Sequence, residues 1–125
     1  MDITDPPLIL VADDEADLCN VLKKTLTKEG YQVLTANTGR RVLTLLKKER
    51  IRLLLLDLKM PGMGGIEVLR KLRKNNPTLS VVILTAHGSL SSAREAMELG
   101  AVDYLTKPFD LSVVKTVVRE ALSGR

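Results

Sequence analysis

Leu53-Leu54-Leu55-Leu56-Asp57 is the stretch that decides the fold. Four consecutive leucines leave no polar face, so a strand made of them must be covered on both sides, as in a parallel sheet. Comparable short runs occur at Leu8–Ala12, Gln32–Ala36, Val81–Thr85 and Val102–Thr106, with room for one helix between each pair. Four of the five are nearly continuous in apolar residues rather than alternating. The segments between them carry helical period. Leu18, Val21, Leu22, Thr25 and Leu26 share one face, and Gly30 supplies a stop. Val42, Leu45 and Leu46 mark a second helix; Ile66, Leu69 and Leu72 mark a third, ended before Pro77. Leu90, Ala93, Ala96 and Met97 mark a fourth, stopped by Gly100. Leu111, Val114, Val118 and Leu122 mark a fifth, with Asp110 as its N-cap. Strict β-α alternation with right-handed crossovers predicts a three-layer α/β sandwich.

A chain of 125 residues suits one domain spanning 1–125, with neither linker nor low-complexity segment. Hydrophobic residues at 45% support a packed core, and aromatics at 2% mean that Leu, Val, Ile and Ala must build it. No apolar run approaches the roughly 20 residues of a membrane span. The start, MDITDPPLIL, lacks the basic and long apolar regions of a signal peptide. A lone Cys19 excludes an internal disulfide and fits a reducing, cytoplasmic setting, and its apolar neighbours make it a core residue.

The net charge of +4 raises the question of nucleic acid. Residues 1–74 hold 14 Lys/Arg against 10 Asp/Glu, whereas residues 75–125 hold 5 of each. Most of the excess falls where helices end, at Lys28, Lys47, Lys48, Arg73 and Lys74 among others, where cations complement the helix dipole. No aromatic residues are interleaved to stack on bases, so a solvated basic pole is the better reading and no direct nucleic-acid binding is expected.

Open parallel sheets bind ligands beyond the carboxyl ends of their strands. Strand 1 ends in Asp13-Asp14-Glu15, strand 3 in Asp57 and strand 4 in Thr85, while strand 5 leads into Lys107-Pro108. If strands 1 and 3 are neighbours, their ends lie about 5 Å apart, close enough for their carboxylates to share a cation. Carboxylates gathered so closely repel unless a metal or a lysine compensates them. Hard oxygen donors with no His/Cys cluster favour Mg²⁺ over zinc or copper. An aspartate beside such an ion can act as a nucleophile toward phosphorus. Each residue alone has an ordinary structural role open to it: Asp13 or Asp14 as a helix cap, Asp57 as a loop start, Lys107 as a solvated charge. Together, at the ends of four strands, they argue for chemistry.

Four motifs, VADDE at 11–15, LLLLDLKMPGMGG at 53–65, VVILTAHG at 81–88 and GAVDYLTKPFD at 100–110, closely resemble the receiver domains of two-component response regulators. The resemblance runs from Leu8 to Leu122 in that family's order and spacing. It implies a flavodoxin-like (βα)5 fold with strand order 2-1-3-4-5, an order the fold class is known for. By the same resemblance Asp57 is the phosphoacceptor, Asp14 a direct Mg²⁺ ligand, Asp13 a ligand mostly through water, and the Lys59 carbonyl the remaining protein ligand. Lys107 would pair with the phosphoryl oxygens and precede a cis Pro108 bond. Thr85 would bind the arriving phosphoryl group, and Tyr104 would turn inward into the space Thr85 vacates, changing the surface of helix 4, strand 5 and helix 5. Lys59 and His87, two residues beyond Asp57 and Thr85, would modulate phosphoryl lifetime. One departure from the family pattern is Gly64-Gly65, where an Asp or another small polar residue usually precedes the glycine. The expected consequence is a looser 60–65 loop with the chemistry intact.

The resemblance also implies a sensor histidine kinase as donor, with Asp17 and Asn20 on helix 1 among its contacts. The run at 84–111 looks most like receivers of the nitrogen-regulation class, which commonly precede an AAA+ ATPase and a DNA-binding output. The ending just after helix 5 permits either a stand-alone phosphorelay receiver or an excised N-terminal domain, the latter preferred. Dimerisation through helix 4, strand 5 and helix 5, pairing Arg94, Lys115 or Arg119 with Glu95, Asp103 or Glu98, is a further expectation. An aspartate-nucleophile hydrolase would need a second acid where Lys59 stands. A nucleotide-binding module would need glycines where Asp13-Asp14-Glu15 stands. The chain is therefore expected to modify itself rather than turn over an outside substrate.

Overall fold

The computed structural model describes residues 5–86 and 90–123, Leu90 by its backbone alone. Its elements are β1 (Leu8–Ala12), α1 (Ala16–Lys28), β2 (Gln32–Ala36), α2 (Gly39–Lys48), β3 (Leu53–Asp57), α3 (Gly65–Asn75), β4 (Ser80–Ala86), α4 (Leu90–Glu98), β5 (Asp103–Lys107) and α5 (Leu111–Leu122). All strand pairs are parallel, in the order β2-β1-β3-β4-β5. This is the expected flavodoxin-like (βα)5 arrangement, with β4 and β5 each reaching one residue further toward the carboxyl end than their apolar runs indicated.

The unbroken apolar runs are explained by the two-residue period of a strand. Ile9 and Val11, Leu53 and Leu55, and Val82 and Leu84 face α1 and α5, packing with Cys19, Leu22, Leu26, Val114, Val117 and Val118. Their neighbours Leu10, Leu54, Leu56, Val81 and Ile83 face the other layer, against Val42, Leu45, Val68, Leu69, Leu72 and Ala96. Each face is thus filled by alternate residues of the same strands.

Helix boundaries follow local chemistry. Thr38 caps α2 by accepting from the Arg41 N–H, and Asp110 caps α5 by accepting from the Ser112 N–H at 2.9 Å. Gly30 ends α1 with φ +98°, a left-handed conformation that a glycine adopts at no steric cost. Three positions differ from the helical-period reading, one of them Leu111, exposed at the start of α5 where the buried stripe runs through Val114, Val117, Val118 and Ala121. Val21 and Met97 are exposed, because the buried stripe of α1 runs through Cys19, Leu22 and Leu26 and that of α4 through Ala93 and Ala96.

The basic pole needs one correction. Arg73 is not a solvated charge: its guanidinium donates to the carbonyls of Leu79 (2.7 Å), Leu99 (2.8 Å), Gly100 (3.0 Å) and Asn76 (3.1 Å), with Pro77 at 3.4 Å. It joins the end of α3 to the turns before β4 and β5, and burial lowers its pKa. Arg70 of α3 also pairs with Glu95 of α4, and Lys115 of α5 lies 3.8 Å from Glu29. Glu95 and Lys115, expected to pair across a dimer, therefore have partners inside the chain.

Candidate functional site

The site forms where β1, β3, β4 and β5 end. Asp13 follows β1, fully buried; its N–H donates to the Ala36 carbonyl, and its Oδ1 accepts from the Glu15 N–H at 2.9 Å. That turn leads into α1, whose N-cap position is Glu15 with no side-chain cap, so the expected capping role of Asp13 or Asp14 is not seen. The Asp13 carbonyl is held in turn by Asn37 Nδ2 at 2.9 Å and by the Cys19 thiol at 3.4 Å. Burial, followed by the Asp13 charge, pushes the Cys19 pKa up, which suits a structural thiol. Asp57 closes β3 at 4% exposure, and its Oδ1 accepts from the Lys59 N–H at 3.1 Å. Lys59 itself is exposed.

Lys107 brings these carboxylates together from the end of β5. Its Nζ lies 2.7 Å from Asp13 Oδ2, 3.3 Å from Glu15 Oε1 and 3.5 Å from Asp57 Oδ2. Burial alone would lower the Lys107 pKa, but the Asp13, Asp57 and Glu15 carboxylates outweigh it and the net shift is upward. Asp57 is raised to about 6: burial is the largest cause, Asp13 and Asp14 add to it, and the Lys59 N–H and Lys107 oppose it. The Lys107-Pro108 peptide bond is cis.

Asp13, Asp14 and Asp57 each offer an oxygen, and these oxygens lie within 4.8 Å of one another. The Asp13 Oδ2 is buried and receives no aligned hydrogen bond, although the Lys107 ammonium stands beside it. An acceptor-only oxygen set of this kind, buried at Asp13 and Asp57 and open to solvent at Asp14, fits a small hard cation, which would satisfy the atom that Lys107 approaches only as a charge.

The expected switch residues lie one layer away. Strand period puts Asp13, Asp57 and Lys107 in phase with the α1/α5 face, and Thr85 and Tyr104 in phase with the α4 face. Tyr104 pairs in register with Ile83 and Thr106 with Thr85, so Thr85 and Tyr104 are diagonal neighbours on that face. Thr85 is 3% exposed, with its hydroxyl 3.3 Å from the Ala86 carbonyl, whereas Tyr104 is 40% exposed. His87 lies outside the described residues. Thus Asp13, Asp14, Asp57 and Lys107 are brought together, Lys59 contributes its N–H, and Thr85 with Tyr104 forms a separate pair. Sequence reading missed Glu15 as a partner of Lys107 and Asn37 as a support for Asp13. The acidic side chain at 15 was visible, but no local pattern indicates Asn37.

A family profile described as "Response regulator receiver domain" matches residues 9–119. The chain is a response regulator receiver domain. This receiver domain is 40% identical over 114 residues to the sporulation initiation phosphotransferase F of Bacillus subtilis (strain 168), covering 91% of this chain and 92% of that protein. It is 37% identical over 116 residues to the DNA-binding transcriptional regulator NtrC of Salmonella typhimurium and 38% identical over 115 residues to the transcriptional regulatory protein ZraR of Escherichia coli (strain K12). It spans 93% and 92% of its own length in those matches, but only 25% and 26% of theirs. Among solved structures, a receiver domain protein of Clostridium thermocellum superposes with a TM-score of 0.88 at 34% identity, over 94% of both chains. The receiver domain of NtrX from Brucella abortus gives 0.89 at 32% identity, over 94% of this chain and 99% of that one. These relatives bear out the likeness to the nitrogen-regulation class.

Proposed function

We propose that Asp57 accepts a phosphoryl group from the phosphohistidine of a sensor histidine kinase and that the modified domain signals through the α4-β5-α5 surface. The observation that carries this reading is the placement of Asp57. Its carboxylate is buried at a strand end, 3.5 Å from Lys107 and within reach of a cation shared with Asp13 and Asp14. One Asp57 carboxylate oxygen forms the new bond to phosphorus as the donor's P–N bond breaks. The bonding pair returns to the imidazole nitrogen.

Asp13, Asp14, Asp57 and the Lys59 carbonyl would hold Mg²⁺, which when bound neutralises phosphoryl oxygen charge. Lys107 supplies a second positive charge on the same oxygens, so the protein's contribution is positioning and electrostatics. Thr85 then binds the phosphoryl group with its hydroxyl, and Tyr104 rotates inward from its exposed position. Lys59 and His87 tune how readily water reaches the acyl phosphate. The domain acts on itself and is not an enzyme with an outside product.

In this reading residues 1–125 form one cytoplasmic receiver domain; among the described residues no helix is long and apolar enough to cross a membrane. The likeness to NtrC and ZraR supports a transcriptional output, through C-terminal AAA+ and DNA-binding parts. Exposed Met97, Val102 and Tyr104 suit a homodimer through α4-β5-α5, with Arg94, Arg119, Asp103 and Glu98 left to pair across it. A second reading, a stand-alone phosphorelay receiver acting by protein contact, is favoured by the 40% identity to the sporulation phosphotransferase.

Intact mass after incubation with a small phosphodonor and Mg²⁺ tests the central claim. A Mg²⁺-dependent gain of one phosphoryl group, absent in Asp57→Asn, is expected. No gain at any Mg²⁺ concentration would remove the acceptor role.

A further inference from the structure

An ammonium group has three donors, and Lys107 faces three carboxylates. Two of them, Asp13 and Asp57, belong to the oxygen set that fits a cation. The third, Glu15, does not belong to that set. It leads into α1 as the residue before Ala16, makes no side-chain cap there, and sends its carboxylate across to β5 instead. Its side chain is 64% exposed, whereas that of Lys107 is 20% exposed and that of Asp13 fully buried. Glu15 thus offers Lys107 a resting position on the outer rim, on the solvent side of the buried carboxylates.

Lys107 and a divalent cation would draw on the same two carboxylates, Asp13 and Asp57. Among the described side chains the Lys107 ammonium is the cation paired with Asp13 and Asp57, and a divalent ion drawn to those carboxylates would meet its repulsion. A lysine without an outer partner would be expelled into solvent or stay and repel the ion. The Glu15 carboxylate, 3.3 Å from Nζ, removes that conflict.

We propose that Glu15 is a positioning residue of the phosphorylation site, holding Lys107 at the rim so that Asp13 and Asp57 are free for the cation while the ammonium stays beside the acceptor. The inference rests on the function proposed above. It assigns Glu15 no contact with phosphorus; its influence passes through Lys107.

Calorimetric titration of the unphosphorylated chain with Mg²⁺ tests this, using Glu15→Gln and Glu15→Asp in the parent and in a Lys107→Ala background. An exposed ion pair sets the scale, so E15Q should weaken Mg²⁺ binding about two- to fivefold in the parent. The effect should largely vanish in the Lys107→Ala background, because the ammonium it acts on is gone. Glu15→Asp keeps the charge but shortens the reach, and should resemble E15Q. Because residue 15 is exposed, both variants should fold, and E15D compared with parent decides the question even if Lys107→Ala does not fold. Equal weakening with and without Lys107 would reduce Glu15 to a distant charge and overturn the proposal, as would parent-like binding by E15D. A parent chain that binds Mg²⁺ and gains the phosphoryl group while the Glu15 variants behave like parent would sink this inference alone. A parent chain that does neither would sink the functional reading with it.

Discussion

Gly65 is packed against Asp57 so closely that a Cβ at position 65 would stand 2.5 Å from the Asp57 carbonyl oxygen and 2.6 Å from the Leu58 Cα. The Gly65 N–H also donates to the Leu58 carbonyl at 3.0 Å. The first residue of α3 therefore lies directly on the backbone that carries the proposed acceptor, Asp57. At Gly64 the same addition would meet only the Leu58 carbonyl, at 3.6 Å.

Gly65→Ala should consequently cost about 1–3 kcal/mol of stability, because backbone rather than a flexible side chain has to move. Gly64→Ala, where φ is −72°, should lose only a helix cap's few tenths, up to about 1 kcal/mol. Urea unfolding of the two variants checks the contrast. Phosphorylation at Asp57 should slow in G65A beyond any loss of folded protein.

Asp57 makes stability depend on pH in the metal-free chain. Its folded pKa, about 6, lies above the ordinary 3.8, so between these values the folded state binds more protons than the unfolded one. Stability then falls as pH rises through that window and stays lower above it. Asp57→Asn lacks this term. It should match parent near pH 3.5 and exceed it by up to about 3 kcal/mol at pH 7 in the presence of a chelator. Denaturant melts at both pH values read the difference. Added Mg²⁺ should stabilise parent more than D57N.

The Arg73 guanidinium holds the carbonyls of Leu79, Leu99 and Gly100 in the turns before β4 and β5. Arg73→Ala should cost about 2–3 kcal/mol, the scale of losing charge-assisted bonds to part-buried acceptors. Arg73→Lys should recover little, since a single ammonium cannot span the fork. Thermal unfolding gives the magnitude, and faster hydrogen exchange near Leu79 and Gly100 would locate it.

Thr85→Ala should separate modification from signalling. The phosphoryl mass gain at Asp57 should persist at a reduced rate, while the change at Tyr104 should disappear. Chemical shifts of the Tyr104 ring, compared before and after phosphorylation in parent and T85A, provide the check. An unaltered Tyr104 response in T85A would break the proposed link between the two residues.

The layout of the fold was legible because its signals are periodic. A run such as Leu53–Leu56 permits few arrangements other than a doubly covered strand, and strand ends then gather Asp13, Asp57 and Lys107 by topology alone. What escaped was set by single tertiary contacts. Arg73 looks like any basic residue in the last turn of a helix, and only the proximity of three chain turns makes it a clamp. Val21 and Met97 fit an apolar period, yet each lies just past the edge of its buried stripe. Asn37 acts on Asp13 from 24 positions away in sequence, with no intervening pattern to announce it.

Strand phase has a consequence for how information leaves the site. Asp57 and Lys107 belong to one side of the sheet, Thr85 and Tyr104 to the other, and the sheet between them is packed solid with leucine, valine and isoleucine. A message carried through that interior would have to disturb the part of the molecule least able to yield. Passing around the rim, from one strand tip to the next, leaves the interior undisturbed. Under the proposed switch, the domain would be a rigid body with a responsive border, written and erased many times without loosening what holds it together.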